Sequence, residues 1–595
     1  MSFLNKVRNS FLAGCIGFLP VAMLQSCSDD DNGPNYPNGT YMADWAEVND
    51  AAIEGEIMIF NFEATAPWTA ASTEEWCKVL SPEGVAGQST LRLEIAPNTS
   101  LKGRSTEVTI SVAGAAEQAV VAVRQGDGDI EHGSGTYRDV NKWVYDYMAE
   151  MYLWNDNIPK LELDYSVDYQ SFLKSMLDGV ASFDNANKDD GVLIGDQRIY
   201  FTYIDSNAPI SRAVGDQIND SGIMSIGGAS FEVEGGGMAL GLVIRLVAPD
   251  TEAAKAGIKR GDFITKVNGI TVTESNYQSL ASSIFKGNVT VTVNDVDFTN
   301  SAAVVTPRGD ISFGSSLYTD PAIYKASVTT TKSGKKIGYL LHMGFDMAYD
   351  EQMIDIFNQF KTEGIDELII DLRYNPGGMV LSSTVLGTLV AGSQHKDKIY
   401  LRTTYNSTRT AKGEKGEYFI GNPSNPENPE GYQNIAKALD AAVGLKRVFV
   451  ITSGTTASAS ELLINGLRGI GIEVNTIGLR TLGKNAGMEG IRQSFLRYVF
   501  TFYPITFYCE NAQGFRDYAG GFPADLELDE TSIYPGDFGT SADYLSRAAL
   551  QWADTGQKPS TGRSRSAAGT ISALDVTDND NAFRRMGGSI VMRGE

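Results

Sequence analysis

The chain has 595 residues, enough for three or four domains at about 100–200 residues each. Hydrophobic residues make up 42% and charged residues 21%, the balance of a soluble globular protein and not of a disordered one. A net charge of −24 would repel phosphate backbones, which sets nucleic acid aside as a partner.

Residues 1–27 read as an address. Lys6 and Arg8 precede an apolar run from Phe11 to Leu24, the charge order of a signal peptide. No other stretch approaches the ~18 apolar residues of a membrane span. Leu24-Gln25-Ser26-Cys27 resembles a bacterial lipobox. That resemblance implies acylation at Cys27 and a lipid-anchored protein of the cell envelope, on the periplasmic or the outer face of the outer membrane. Residues 28–38 are acidic and rich in turn formers, as a tether would be. Within them Ser28-Asp29-Asp30-Asp31 resembles the export tag of Bacteroidetes surface lipoproteins. Two further cysteines, Cys77 and Cys509, fall in different predicted domains, with neither a disulfide framework nor a CxxC metal site. No metal or cofactor is expected.

Residues 39–126 alternate apolar and polar over short runs, such as Ile57 to Phe62, Leu91 to Ile95, Val108 to Val112 and Val120 to Val123. Turn clusters separate them, so an all-β sandwich is predicted. Trp68, Trp76, Asn98-Thr99 and the closing Val123-Arg124-Gln125 resemble the BACON domain. That implies either carbohydrate binding or a spacer that holds an enzyme off the membrane. Residues 134–225 are read as a small helical cap, because Val140, Trp143, Val144, Tyr147, Met148 and Met151 recur at helical spacing. The stretch 239–269 runs strand, Pro-Asp turn, short helix and strand, then Asn268-Gly269, a tight-turn signal. Its AGIKRGDFITKVNG segment resembles a PDZ domain, here placed at 228–305. The resemblance implies capture of an extended peptide as an added strand, with Leu240, Gly241 and Leu242 in the carboxylate-binding loop.

Three segments between residues 306 and 550 carry the chemistry. In the first, a buried-type strand, Leu368 to Leu372, ends at Arg373-Tyr374-Asn375-Pro376-Gly377-Gly378. Glycines there let backbone N–H groups point into a cavity. In the second, a strand from Val448 turns into a helix at Ser458, within Ser458-Ala459-Ser460-Glu461. Alone this is Ser-x-x-Glu, a capping box. A serine there also sits beside first-turn N–H groups that stabilise negative charge. In the third, Gly478 to Gly487 holds Lys484, which alone would read as a surface charge.

Together, in this order and with a PDZ pattern upstream, they resemble the C-terminal processing (tail-specific) proteases. Ser458 and Lys484 lie 26 positions apart, near that family's usual separation. The resemblance implies a multidomain chain ending in an α/β protease core of the crotonase-like or ClpP-like type. Its implied activity is a serine endopeptidase that cleaves polypeptides with accessible C-termini. Ser458 would be the nucleophile, Lys484 the general base, and the N–H groups of Gly377 and Ala459 the oxyanion hole. A lysine serves as a base only when neutral, so burial must depress its pKa, with Leu482 and Ala486 as candidate walls. None of the three histidines, His132, His342 and His395, stands in a Ser-His-Asp motif.

Many relatives carry Gln four residues after the lysine, where this chain has Met488. Either Asn485 or a backbone carbonyl is therefore expected to hold Lys484. Met488 also keeps open a ligand carrier without catalysis, and residues 39–126 a glycan-binding lipoprotein. Residues 551–595 are polar, rich in Ser, Thr and Gly, and read as a loosely ordered tail.

Overall fold

The computed structural model describes residues 41–43, 49–51, 55–98, 104–115, 118–125, 137–160, 162–194, 197–206, 217–298, 302–424, 432–495, 498–560 and 571–578. The predicted signal peptide, Cys27 and the tether lie outside the described residues. The chain divides into two compact units, residues 1–128 and 129–595.

The first unit pairs a four-stranded sheet with a five-stranded one. Strand Glu56–Ala64 lies against Gly87–Ile95, and Arg104–Val112 against Ala119–Gln125. Alternate residues Phe60, Phe62, Leu91, Leu93, Val108, Ile110, Val121 and Val123 are buried together. This is the period-2 pattern read from the sequence. Trp68 belongs to that core and donates its indole N–H to Ser89 Oγ at 2.9 Å. Trp76 is half-buried under the Arg104 guanidinium. Neither is a free flat ring. Cys77 is buried as a free thiol, as is Cys509 in the second unit.

The second unit opens with helices Arg138–Met151 and Tyr169–Ala181, whose inward faces carry Val140, Val144, Met148, Phe172, Leu173, Met176 and Leu177. The Asp168 carboxylate caps the second by accepting the Gln170 and Ser171 N–H groups. Helix stops there. After it, the described residues of the predicted helical cap hold turns and short strands at Val192–Ile194, Gln197–Ile199, Tyr203–Ser206 and Gln217–Asp220.

Next comes a sheet in the order Val304–Phe313, Val289–Asp297, Phe263–Val267, Met238–Val247, Ile223–Glu232, Ser572–Asp578. Helix Tyr277–Lys286 packs Leu280, Ala281, Ile284 and Phe285 into the same core as Ile226, Leu242 and Ile244. Asn268 and Gly269 both have positive φ, and Val267 pairs with Ile270 across a two-residue turn, as Asn-Gly predicts. Two readings fail here. Leu240, Gly241 and Leu242 form no loop. They lie inside strand Met238–Val247, paired to Ser230, Ala229 and Gly228 on one side, and at Leu242 to Ile264 on the other. A Cβ on Gly241 would stand 2.6 Å from the Ile264 carbonyl oxygen, so this glycine serves strand packing. The tail, in turn, is not all loose, since Ser572–Asp578 is the sixth strand of this sheet.

The largest core surrounds a six-stranded sheet ordered Ile323–Thr330, Lys336–His342, Glu367–Asp371, Arg447–Thr452, Glu473–Gly478, Leu526–Glu527. All neighbours after the first pair are parallel. Such strands are buried on both faces, which explains continuous runs such as Val448 to Ile451.

A buried ionic cluster joins the PDZ-like sheet to this core. Arg260 donates to Glu530 and Asp543 at 3.1 Å each, to the Arg245 carbonyl at 2.6 Å and to the Gly536 carbonyl at 2.8 Å. Arg373 donates to the same two acids and to Asp371. Burial opposes ionisation of Asp543, yet Arg373 and Arg260 hold its carboxyl well below the usual range.

Candidate active site

The three candidate segments leave from the carboxyl ends of three adjacent parallel strands. Asp371 lies beside Ile451, and Thr452 beside Gly478. The turns that follow converge, as ligand sites do at the carboxyl ends of α/β strands.

Ser458 sits at the start of helix Ala459–Gly469 with φ 53° and ψ −117°. That conformation costs a non-glycine residue on the order of 1–3 kcal/mol and persists only when neighbours fix it. The fixing bonds are visible. Ser458 N–H donates to Glu461 Oε2 at 3.0 Å, Ala457 N–H to the Asn375 carbonyl at 3.3 Å, and Ser460 Oγ to the same carbonyl at 3.0 Å.

Gly377 lies against this turn. A Cβ there would stand 2.7 Å from Ser458 Cβ and 2.9 Å from Ala459 N, and its φ is +114°. Only glycine fits. The N–H of Ala459 has no hydrogen-bond partner among the described residues. The N–H of Gly377 is different, because it donates to Asn375 Oδ1 at 2.9 Å. One of the two expected oxyanion donors is thus engaged in an Asx turn. Asn375 is fully buried and gives its amide N–H to the His342 carbonyl at 3.0 Å.

Lys484 is only 7% exposed. Nearby are the buried Ala457, Ala486 and Phe201, with Leu482 and Met488 packed against the same cluster. Burial lowers its pKa to about 8, against the pull of Asp190 and Glu461. Its Nζ lies 5.3 Å from the Phe201 ring centre and 4.0 Å from Met488 Sδ. It makes no hydrogen bond to Ser458 Oγ. Asn485 does not hold the lysine. Its amide donates to the Arg516 carbonyl at 3.0 Å, and its Oδ1 is buried without a partner. Among the described residues no backbone carbonyl takes that role either; the ammonium's one hydrogen-bond acceptor there is the Met488 thioether, a weak acceptor.

Glu461 connects the two sides. Its Oε2 accepts from Ser458 N–H at 3.0 Å and from Lys484 N–H at 2.8 Å. Its Oε1 accepts from Thr481 Oγ1 at 2.6 Å and Gly483 N–H at 2.8 Å. Burial pushes its carboxyl up to about 7 despite these four donors. The sequence showed Glu461 only as half of a capping box; its second partner is a loop more than twenty residues on. Asp190 gave no sequence signal. It is fully buried, accepts from Tyr152, Thr202 and Phe201, and brings a carboxylate toward Lys484 from the N-terminal region. His342 is buried, and desolvation lowers its pKa to about 4, so it is neutral near pH 7.

Comparisons with known proteins agree with this organisation. Residues 336–501 match peptidase family S41, 139–191 the peptidase S41 N-terminal domain, 243–294 the PDZ domain and 66–126 the BACON domain. A carboxyl-terminal-processing protease of Picosynechococcus sp. is 25% identical over 246 residues, 41% of this chain and 50% of that one. One from Bartonella bacilliformis is 24% identical over 258 residues, 41% of this chain and 49% of its own. The chain thus spans about half the length of the curated relatives it matches. The crystal structure of a proposed S41 protease from Bacteroides fragilis superposes with a TM-score of 0.54 at 24% identity. It covers 69% of this chain and 96% of that one, a likeness of fold. Over residues 336–501, with S41 N-terminal and PDZ matches ahead of them, this chain is similar to peptidase family S41.

Proposed function

We propose that this protein is a serine endopeptidase of the C-terminal processing type, with Ser458 as nucleophile and Lys484 as general base. One observation carries the reading. A buried lysine with a depressed pKa, whose ammonium has no acceptor among the described residues stronger than a thioether, shares a carboxylate oxygen through its backbone N–H with the backbone of a strained serine. In the reaction, neutral Lys484 takes the Ser458 hydroxyl proton as Oγ attacks the scissile carbonyl. The Ala459 N–H at the helix start receives the developing oxyanion, an effect on the order of 3–4 kcal/mol per donor. Gly377 N–H joins it by giving up Asn375 Oδ1. Protonated Lys484 then passes its proton to the leaving amine, and water hydrolyses the acyl-enzyme by the same relay. Side-chain closure of Lys484 onto Ser458 belongs to this cycle, since catalytic bonds tighten in the Michaelis complex.

The substrates are extended polypeptide tails, which the PDZ domain would present by strand addition. Acylation at Cys27 would anchor the enzyme in the cell envelope at the outer membrane. The burial of Trp68 favours a spacer role for the first unit over a glycan platform.

A serine-directed acylating probe should label the intact protein at Ser458 and leave Ser458→Ala unlabelled, as read by peptide mass mapping. Labelling of both to the same extent would make the protein a binding module. Replacing Met488 by Gln should set an amide oxygen near Lys484 Nζ. A bond to the charged form raises a pKa, so the rising limb of the activity profile should move to higher pH. An unmoved limb would show that position 488 does not reach the base.

A further inference from the structure

The PDZ-containing sheet ends in an edge that its own chain has already filled. Strand Ile223–Glu232 pairs with Met238–Val247 on one side and with Ser572–Asp578 on the other. The second ladder is antiparallel: Ser230 faces Ser572, Ala229 faces Ala573, Gly227 faces Val576, Ile226 faces Thr577 and Ser225 faces Asp578. We propose that residues 571–578 are an internal ligand, which holds the edge where a substrate tail is captured and must leave before capture.

Three observations support this. The edge strand reads Ile-Met-Ser-Ile-Gly-Gly-Ala-Ser-Phe-Glu, with no lysine, arginine or proline and one charge at its last position. Natural sheets guard exposed edges with such residues, so this edge is built to be paired. The ladder also runs as strand addition requires, main chain to main chain along an edge beside helix Tyr277–Lys286. Finally, the Ile571 side chain holds the front of the segment. Ile571 is 4% exposed among Ala229, Phe231, Val243, Phe263 and Ala303, and its N–H donates to the Ser532 carbonyl at 3.0 Å. The backbone ladder is short, with five register pairs.

Covalent attachment raises the local concentration of such a segment to the order of millimolar. A free peptide therefore meets an edge that is mostly occupied, and its apparent affinity falls by the unoccupied fraction. The strand assignment also relocates the peptide site from Leu240-Gly241-Leu242 to residues 223–232.

The test measures binding, so it stands or falls apart from the assignment of Ser458. Fluorescence anisotropy follows a labelled peptide with the sequence of residues 571–578 added to the full chain. Ile571→Asp removes the anchor, and that variant should bind at least tenfold more tightly than the unaltered protein. Ser230→Cys with Ser572→Cys places two thiols on directly opposed residues, at a spacing a disulfide spans. Oxidation should abolish peptide binding and a reductant should restore it. Unchanged affinity in Ile571→Asp, or equal binding by the oxidised and reduced forms, including none by either, overturns the proposal.

Discussion

Lys484→Ala is expected to lower kcat for cleavage of a disordered peptide by on the order of 10⁴-fold or more, the scale seen when one member of a catalytic unit is removed. The fold should survive, because the lysine ammonium makes no hydrogen bond beyond its approach to Met488 Sδ. Circular dichroism and thermal unfolding check that point. The unaltered enzyme supplies the matching pH signature. Lys484 must be neutral to accept a proton, and its pKa is lowered to about 8, so kcat/KM should rise with pH through about 8 and level off above it. A base at the ordinary lysine value would place that rise some two units higher. Histidine would place it near 6.5, and the nearest buried candidate, His342, is neutral already near pH 7. A flat profile from pH 7 to 9, or full activity in Lys484→Ala, would remove the lysine from the mechanism.

Some of this was legible in the sequence because it is local. Alternation wrote the strands of the first unit, with Leu91 and Leu93 inward. Asn268-Gly269 wrote its turn, and the strand-then-glycine pattern placed Gly377 at a close approach. The failures share one cause, which is pairing between segments far apart in the chain. Leu240-Gly241-Leu242 resembles a binding loop until strands on either side claim it. Ser572–Asp578 sits in a polar tail and carries no sign of the strand it joins more than three hundred residues earlier. Asn485 adjoins the lysine in sequence, but in the fold its amide reaches Arg516 instead. Asp190 and Phe201 reach Lys484 from the N-terminal region through packing that no motif encodes.

Glu461→Gln should separate what holds the site from what reacts in it. Each Glu461 oxygen accepts two donors. An amide offers only one acceptor atom, and its NH2 group must face N–H or O–H donors. Thr481 can turn its hydroxyl to accept instead, so the least costly orientation places the NH2 toward Thr481 and Gly483. Gly483 N–H then loses its acceptor, and the lysine loop shifts relative to Ser458. A displacement near 1 Å costs on the order of 10²-fold in rate, which sets the expected loss. Two further readouts carry definite signs. Glu461 raises the pKa of Lys484, so its neutralisation should move the rising limb of the activity profile below pH 8. The folded-state pKa of Glu461 is itself raised, from 4.5 to about 7. Its contribution to stability is therefore full below pH 4.5 and is lost as pH rises through about 7, a change of ~3 kcal/mol at about 1.4 kcal/mol per unit. The stability difference between the unaltered protein and Glu461→Gln should therefore shrink by about that much between pH 4.5 and 8 in denaturant titrations, because the variant lacks this part of the slope. If the variant keeps the slope and the rate, Glu461 is an ordinary helix cap and the tie between Ser458 and Lys484 lies elsewhere.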